Sequence, residues 1–255
     1  MSRTFILLFF TLLCNPICSI AQSSQNNVYS ALLFNVNYGF HIPAAELSDR
    51  FGSNFSIGGS IEYLTEKGNW MLGIKGNNLF GQNVKEDVLA PIRTSDGFLI
   101  GNSGAAEGQF ALVVLRERGF YAGGLIGKLF TISEKNKRSG IRATIGVGLL
   151  QHKIRIQDES GTAQQIAGDY KKGYDQLSNG LALEQFIGYQ YLSTNRGVNF
   201  FAGFEFTQAF TQNRRNSNFV TRTKDETKRV DVLTGFRIGW TIPIYVGEKG
   251  EDLFY

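Results

Sequence analysis

Three carboxylates, Glu62, Glu184 and Glu205, and four cations, Lys75, Lys128, Arg142 and Arg237, stand singly in stretches otherwise built of apolar, glycine and hydroxyl residues. Charges so isolated have two uses. Turned into a confined interior they neutralise one another, because an unpaired charge taken out of water is costly. Spaced around an aqueous opening they form a selectivity ring. Two histidines, His41 and His152, could serve as general base or acid. His152 with Ser178, Asp175 or Glu184 would make an acyl hydrolase or transferase acting on lipid A, although a histidine hydrogen-bonded to a loop at the rim is the expected role. No G-x-S-x-G turn accompanies them, and no histidine cluster has metal-ligand spacing. The glycines of 101–104 lack the lysine and helix of a phosphate loop. An enzyme, a metal and a cofactor are therefore not expected.

Which use the charges serve depends on the elements that carry them. Arg3, the apolar run from Phe5 to Leu13, Pro16 and the Ser19-Ile20-Ala21 small-residue pattern read as a cleavable signal peptide over 1–21. Residues 22–255 are then a single domain. Both cysteines, Cys14 and Cys18, fall in the leader, so the mature chain offers no disulfide and no thiolate. A formal net charge of +4 is too mild to argue for nucleic acid, and none is expected as a partner. After residue 21 no apolar run reaches the ~18 residues of a membrane-spanning helix.

Period-two alternation recurs instead. In 32–40, Leu32, Phe34, Val36, Tyr38 and Phe40 share one face, while Leu33, Asn35, Asn37 and Gly39 share the other. Similar strands are expected at 55–64, 70–80, 120–131, 141–156, 181–192, 198–210 and 230–244, with less clean faces in 120–131 and 181–192. Their second face is rich in Gly, Ser, Thr and Asn, where a water-facing sheet would carry Lys and Glu. This is the pattern of a barrel turned inside out, with apolar side chains meeting lipid and small or polar ones crowding the interior. Short connections at 65–69, 133–139 and 193–197 alternate with long ones at 41–54, 81–118, 157–180 and 211–229. The expected fold is all-β: an antiparallel up-and-down transmembrane barrel of eight strands, with short periplasmic turns and long external loops. Residues 107–116 fit as a short helix capped by Gly119 or as a hairpin arm within the second long loop. A ten-stranded barrel, with 98–101 paired to 107–116, stays open as an alternative. In a lumen of eight strands, side chains fill the space, so the charges are expected to form a neutralising network.

The chain resembles the small outer-membrane β-barrel proteins abundant in Bacteroidota, of OmpA- or OmpW-like type. The resemblance rests on Pro43 and the Leu47-Ser48-Asp49-Arg50-Phe51-Gly52 segment after the first strand, the Gly-rich alternating strands, the Gly173-Tyr174-Asp175-Gln176-Leu177-Ser178-Asn179-Gly180 segment, and the closing Phe254-Tyr255 pair. It implies an outer-membrane location, outer-membrane lipid and lipopolysaccharide as surroundings, and the barrel-assembly machinery as a transient partner. Arg237, Gly239, Ile242 and Ile244 resemble the signal that this machinery reads. The expected function is non-enzymatic: a structural, interaction or accessory subunit whose loops meet another outer-membrane or periplasmic protein. A narrow channel for small or apolar solutes is the alternative. Tyr174, Asp175, Arg214 and Arg215 are the candidate loop contacts, and the basic set of Arg214, Arg215, Arg222, Lys224, Lys228 and Arg229 is a candidate for lipopolysaccharide phosphates. Trp70, Tyr63, Tyr191, Trp240 and Tyr245 are expected to form the interfacial girdle at the short-turn end.

Overall fold

The computed structural model describes residues 30–102, 108–133, 136–193 and 198–246. The expected leader, Glu107, most of the 193–197 turn and the Phe254-Tyr255 pair lie outside the described residues. In chain order the strands are β1 (Ser30–Ala45), β2 (Asn54–Leu64), β3 (Trp70–Gly81), β4 (Leu99–Gly101), β5 (Gln109–Ala111), β6 (Val113–Ser133), β7 (Asn136–Asp158), β8 (Ser178–Tyr191), β9 (Phe200–Asn213) and β10 (Lys228–Val246). Eight of them close into one antiparallel ring, in the order β1-β10-β9-β8-β7-β6-β3-β2. Closure is made by β1 against β10, in register from Ser30 opposite Val246 to Ala45 opposite Asp231. Both ends of the ring therefore lie at the short-turn end.

Each expected strand overlaps one strand of the ring, and most strands extend further at the long-loop end. Segment 108–116 is no helix: it holds the hairpin arm, one of its two expected forms, followed by the start of a barrel strand. Gln109–Ala111 is a hairpin arm pairing with Leu99–Gly101, and Val113 already begins β6. Gly119 sits mid-strand opposite His152, so it caps nothing. The ten-stranded alternative fails because β4 and β5 pair only with each other.

Facing follows the alternation. Val36 and Ile74 are 64% and 65% exposed, whereas Asn35 and Arg142 are 3% and 1% exposed. Exposed residues such as Phe34's neighbours Val36 and Tyr38, Leu72, Ile145, Val147, Phe204 and Ile238 make a continuous apolar outer wall. In water such a wall would drive aggregation; in hydrocarbon it is the stable arrangement, since the closed ring pairs its own backbone groups. Trp70, Tyr63 and Trp240 are exposed on this wall near the short-turn end, and Tyr191 packs on Phe200 there. Tyr245, expected with them, instead has the inward parity of β10, opposite the buried Ala31, and is exposed because it stands at the strand's end.

The interior is layered. At the short-turn end Ala31, Leu33, Leu64, Met71, Leu129 and Leu192 form an apolar floor. A charged layer lies above it, and a second apolar cluster starts with Tyr121, Leu150, Leu79 and Leu233 and continues into the long loops. Placing arginine on the outer wall is the sharpest test of its facing. Ile74→Arg is expected to lower the unfolding free energy of the barrel in lipid by about 2–4 kcal/mol, read from denaturant midpoints in vesicles. A cost below about 0.5 kcal/mol, ordinary for a water-facing site, would contradict lipid on that face.

Candidate functional site: the charged lumen and the loop module

The charged layer is built from strands on opposite sides of the ring. Lys75 on β3 donates to Glu184 Oε2 on β8 at 2.6 Å and to Glu205 Oε2 on β9 at 2.8 Å. Since β3 and β9 stand four places apart in a ring of eight, this ammonium spans the lumen. Arg237 on β10 pairs with Glu205 and, at 3.2 Å, with Glu184. Arg142 on β7 donates to Glu62 on β2 at 2.7 Å and to Gln190 Oε1 at 3.0 Å. Asn35 donates to Glu62 at 3.1 Å and accepts from Thr241, which also accepts from Gln190.

Two aromatic rings separate the guanidiniums. Phe186 and Phe201 meet edge to face at 5.7 Å, with Arg237 Cζ 4.5 Å from the Phe186 centroid and Arg142 Cζ 4.7 Å from that of Phe201. Glycine makes room for them: a Cβ on Gly188 would lie 2.7 Å from Phe186 Cζ. Six of the seven residues expected in the network are thus brought together, three acids against three bases.

Lys128 is the exception. It sits on the outward row of β6 between Ile126 and Phe130, opposite Trp70 in register. Its ammonium lies 5.3 Å from the Trp70 ring centroid, in the girdle where a long cationic side chain reaches polar surroundings. Its parity decides this, one residue out of phase with the inward Leu129. Removing Lys128 from the lumen leaves the layer with equal numbers of the two charges.

Little space remains. The cavity beside Lys75, Glu184, Glu205, Tyr121, His41 and Ser56 has a volume of about 10 Å³, room for about one water. His41 lies in the lumen, not at the rim, with Nε2 2.9 Å from Ser56 Oγ.

A second polar cluster, unforeseen in the sequence, closes the barrel mouth. His152 Nε2 lies 2.8 Å from Asp231 Oδ2, Arg50 donates to Asp231 Oδ1 at 3.3 Å, and Thr211 donates to Asp231 at 2.5 Å. Arg50 arrives on a single helical turn, α1 (Leu47–Arg50), tucked into the mouth with Phe51 edge-on to His152 at 5.7 Å. Ser178 stands opposite His152 in register, but its hydroxyl donates to the Gln176 carbonyl at 3.1 Å. Asp175 and Glu184 have other partners. The less favoured reading of His152 as a catalytic set with these residues is not what the geometry assembles, and Ser178, Asp231 and His152 are no more than 2% exposed. Asp231 had a readable signal, an inward parity on β10; Arg50 had none, because a loop residue carries no periodicity.

Above this cluster the long loops fold on one another. Leu47, Phe51, Val88, Leu89, Leu99, Ile154, Ile156, Ala163, Ile166 and Tyr174 are buried together. Tyr174 and Asp175, read from the sequence as surface contacts, lie inside this module. Tyr174 packs on Phe219 at 5.3 Å, and Arg215 grips Asp175 with two hydrogen bonds of 2.8 and 2.5 Å. That hydrogen-bonded pairing also raises the Arg215 pKa above its ordinary value. Arg214 donates to Asn179 Oδ1 at 2.6 Å, Arg229 pairs with Asp225, and Lys224 with Glu226. Three of the fourth loop's cations, Arg215, Lys224 and Arg229, are thus paired with carboxylates. At the end of β7, burial alone would raise Asp158, but the Ser160 hydroxyl and the amides of Ala163, Gly161 and Ser160 outweigh it and hold the carboxyl low.

One face of the module stays apolar and open. Phe98, Ile100, Phe110 and Leu112 on the β4–β5 hairpin are 49–70% exposed, with the two rings 4.7 Å apart. Elsewhere on the loops Tyr170 and Phe219 border a surface depression of about 670 Å³.

An inverted apolar wall, a sealed ionic lumen and a folded loop module define a transmembrane β-barrel of the small eight-stranded kind. Solved structures similar to this chain are outer-membrane barrels. Ail, the attachment invasion locus protein of Yersinia pestis, is 11% identical with a TM-score of 0.35, over 84% of this chain and 99% of that one. The N-terminal β-barrel domain of Pseudomonas aeruginosa OprF is 12% identical with a TM-score of 0.36, over 82% and 97%. The outer membrane protein AlkL is 10% identical with a TM-score of 0.32, over 91% and 98%. No protein-family model and no curated protein matches the sequence.

The lumen predicts its own asymmetry. Lys75→Met leaves Glu184 and Glu205 under-compensated and is expected to cost about 3–5 kcal/mol. Lys128→Met removes only an interfacial cation–π contact, about 0.5–1 kcal/mol. Unfolding of both variants in the same micelles, followed by the gel-mobility change on heating, measures the difference; equal costs would place Lys75 outside any network.

Proposed function

We propose that this chain is a non-enzymatic outer-membrane protein whose long loops face the exterior and bind another macromolecule there, making it a structural, interaction or accessory subunit. The observation that carries this reading is the exposed aromatic face of Phe98, Ile100, Phe110 and Leu112, held on a loop module with its own buried core. Loops kept only as connectors would not need that core, and an open apolar patch outside the lipid band is typical of a contact surface. The signal-like first residues and the short-turn placement of both barrel ends support insertion through the outer-membrane assembly route, with β10 as the strand recognised. Outer-membrane lipid surrounds the apolar wall in this reading.

The packed lumen argues against a solute channel. Arg142, Arg237, Phe186 and Phe201 cross the path that ions would take, and the apolar floor lies below them. The pairing of each carboxylate leaves no ring of free charge to select ions.

A photoreactive amino acid at position 110, illuminated in intact cells, is expected to give a discrete adduct, whereas the same probe at position 74 gives only lipid. Purified protein in planar bilayers is expected to stay silent. Absence of an adduct at 110 would remove the docking face, and steady conductance abolished by Arg142→Ala would replace this reading with the channel.

A further inference from the structure

Beyond the apolar band, the outward row of β6 and β7 changes character. Past Phe120 it carries Arg118 and then Arg116; past Leu149 and Gln151 it carries Lys153 and then Arg155. Register sets Arg118 opposite Lys153 and Arg116 opposite Arg155. Like charges directly opposite on antiparallel strands repel, so four cations on two neighbouring strands form an unfavourable group unless an anion lies against them. The protein does not supply it. Arg116 has Glu159 at 3.7 Å, while Arg118 donates to the Glu117 carbonyl at 2.6 Å. Among the described residues, no carboxylate forms an ion pair with Arg118, Lys153 or Arg155. Glu117 is on the opposite face of β6, turned inward and held by Asn54. In the fourth loop, by contrast, Asp175, Glu226 and Asp225 answer Arg215, Lys224 and Arg229.

Height selects the ligand. Two residues of antiparallel strand advance about 6.8 Å, or about 5 Å along the membrane normal at the usual barrel tilt of ~40°. Arg118 and Lys153 then stand about 5 Å beyond Phe120 and Gln151, and Arg116 and Arg155 about 10 Å. A bilayer's polar layer extends about 5–7 Å past the hydrocarbon on each side. Arg118 and Lys153 fall within that layer, at the depth of lipid phosphates, and Arg116 and Arg155 start just beyond it, within reach of it through their long side chains. Phe120 and Leu149 lie below, where acyl chains would cover them.

We propose that the outer wall of β6 and β7 is a binding site for the phosphorylated headgroup of a membrane lipid on the long-loop side. Arg118, Lys153 and Arg155 are the phosphate ligands, Arg116 flanks them, and Phe120 and Leu149 meet the acyl chains. The site is separate from the aromatic hairpin face, so either can fail without the other.

Full-length protein in micelles, titrated with bisphosphorylated lipid A and read by native mass spectrometry, tests this. The triple variant R118Q/K153Q/R155Q is expected to bind on the order of a hundredfold more weakly, each cation at an anionic surface being worth about fivefold. It should still fold, as judged by its gel shift on heating, because the change relieves repulsion. Should it fail to fold, the exposed single change R155Q is expected to weaken binding about fivefold. The loop variant R222Q/K224Q is expected to bind as the unaltered protein does. Dephosphorylated lipid should not be retained, and inorganic phosphate should not displace the bound lipid. Equal binding by the triple variant or by R155Q, retention of dephosphorylated lipid, a loss in R222Q/K224Q matching that of the triple, or full displacement by inorganic phosphate would each overturn the assignment.

Discussion

Everything in this molecule follows from the need to pair its own backbone in a medium that offers no hydrogen bonds. The pairing of β1 with β10 satisfies that need over its full length and fixes the ring at eight strands. Eight strands set a circumference whose interior is just wide enough for side chains. The inward row must then fill a narrow tube without leaving a charge unpaired. Long side chains reaching across it, Lys75 to Glu205 and Arg142 to Glu62, fill the volume and neutralise it at once. Closure of the sheet thus leads to a lumen filled by charge-paired side chains.

The ring was largely legible in the sequence because its signals are local. A period of two needs only consecutive residues, and the alternation of short and long connections needs only a count between strands. The charged layer was legible for the same reason wherever parity was clean. Lys128 shows the limit: in 120–131 glycines dilute both faces, and the one-residue phase that separates lumen from lipid was misassigned. Its neighbour Leu129, buried in the floor, reads as easily as an outward residue as Lys128 reads as an inward one.

The mouth and the loops were not legible, for a different physical reason. Arg50 meets Asp231 across 181 residues, and Phe51 reaches His152 across the same opening. Such contacts depend on how loops fold over a finished barrel, and no repeating pattern announces them. Tyr174 and Asp175 were recognised as notable and assigned the wrong surroundings. Aromatic and acidic residues in a long polar segment look like surface features until the loops prove to have a core of their own.

β6 and β7 join these regimes. They are the longest strands, at 21 and 23 residues, and rise past the lipid band into the loop module. Their alternation continues unbroken while the surroundings of each face change. Inward, the row passes from glycines and Arg142 through Tyr121 and His152 to Ile154 and Ile156, hence from ionic lumen to loop core. Outward, it passes from Val147 and Leu149 to Lys153 and Arg155. The same two-residue period therefore serves lipid, headgroup layer and loop core in turn, and the composition of each row at a given height records what that height contacts.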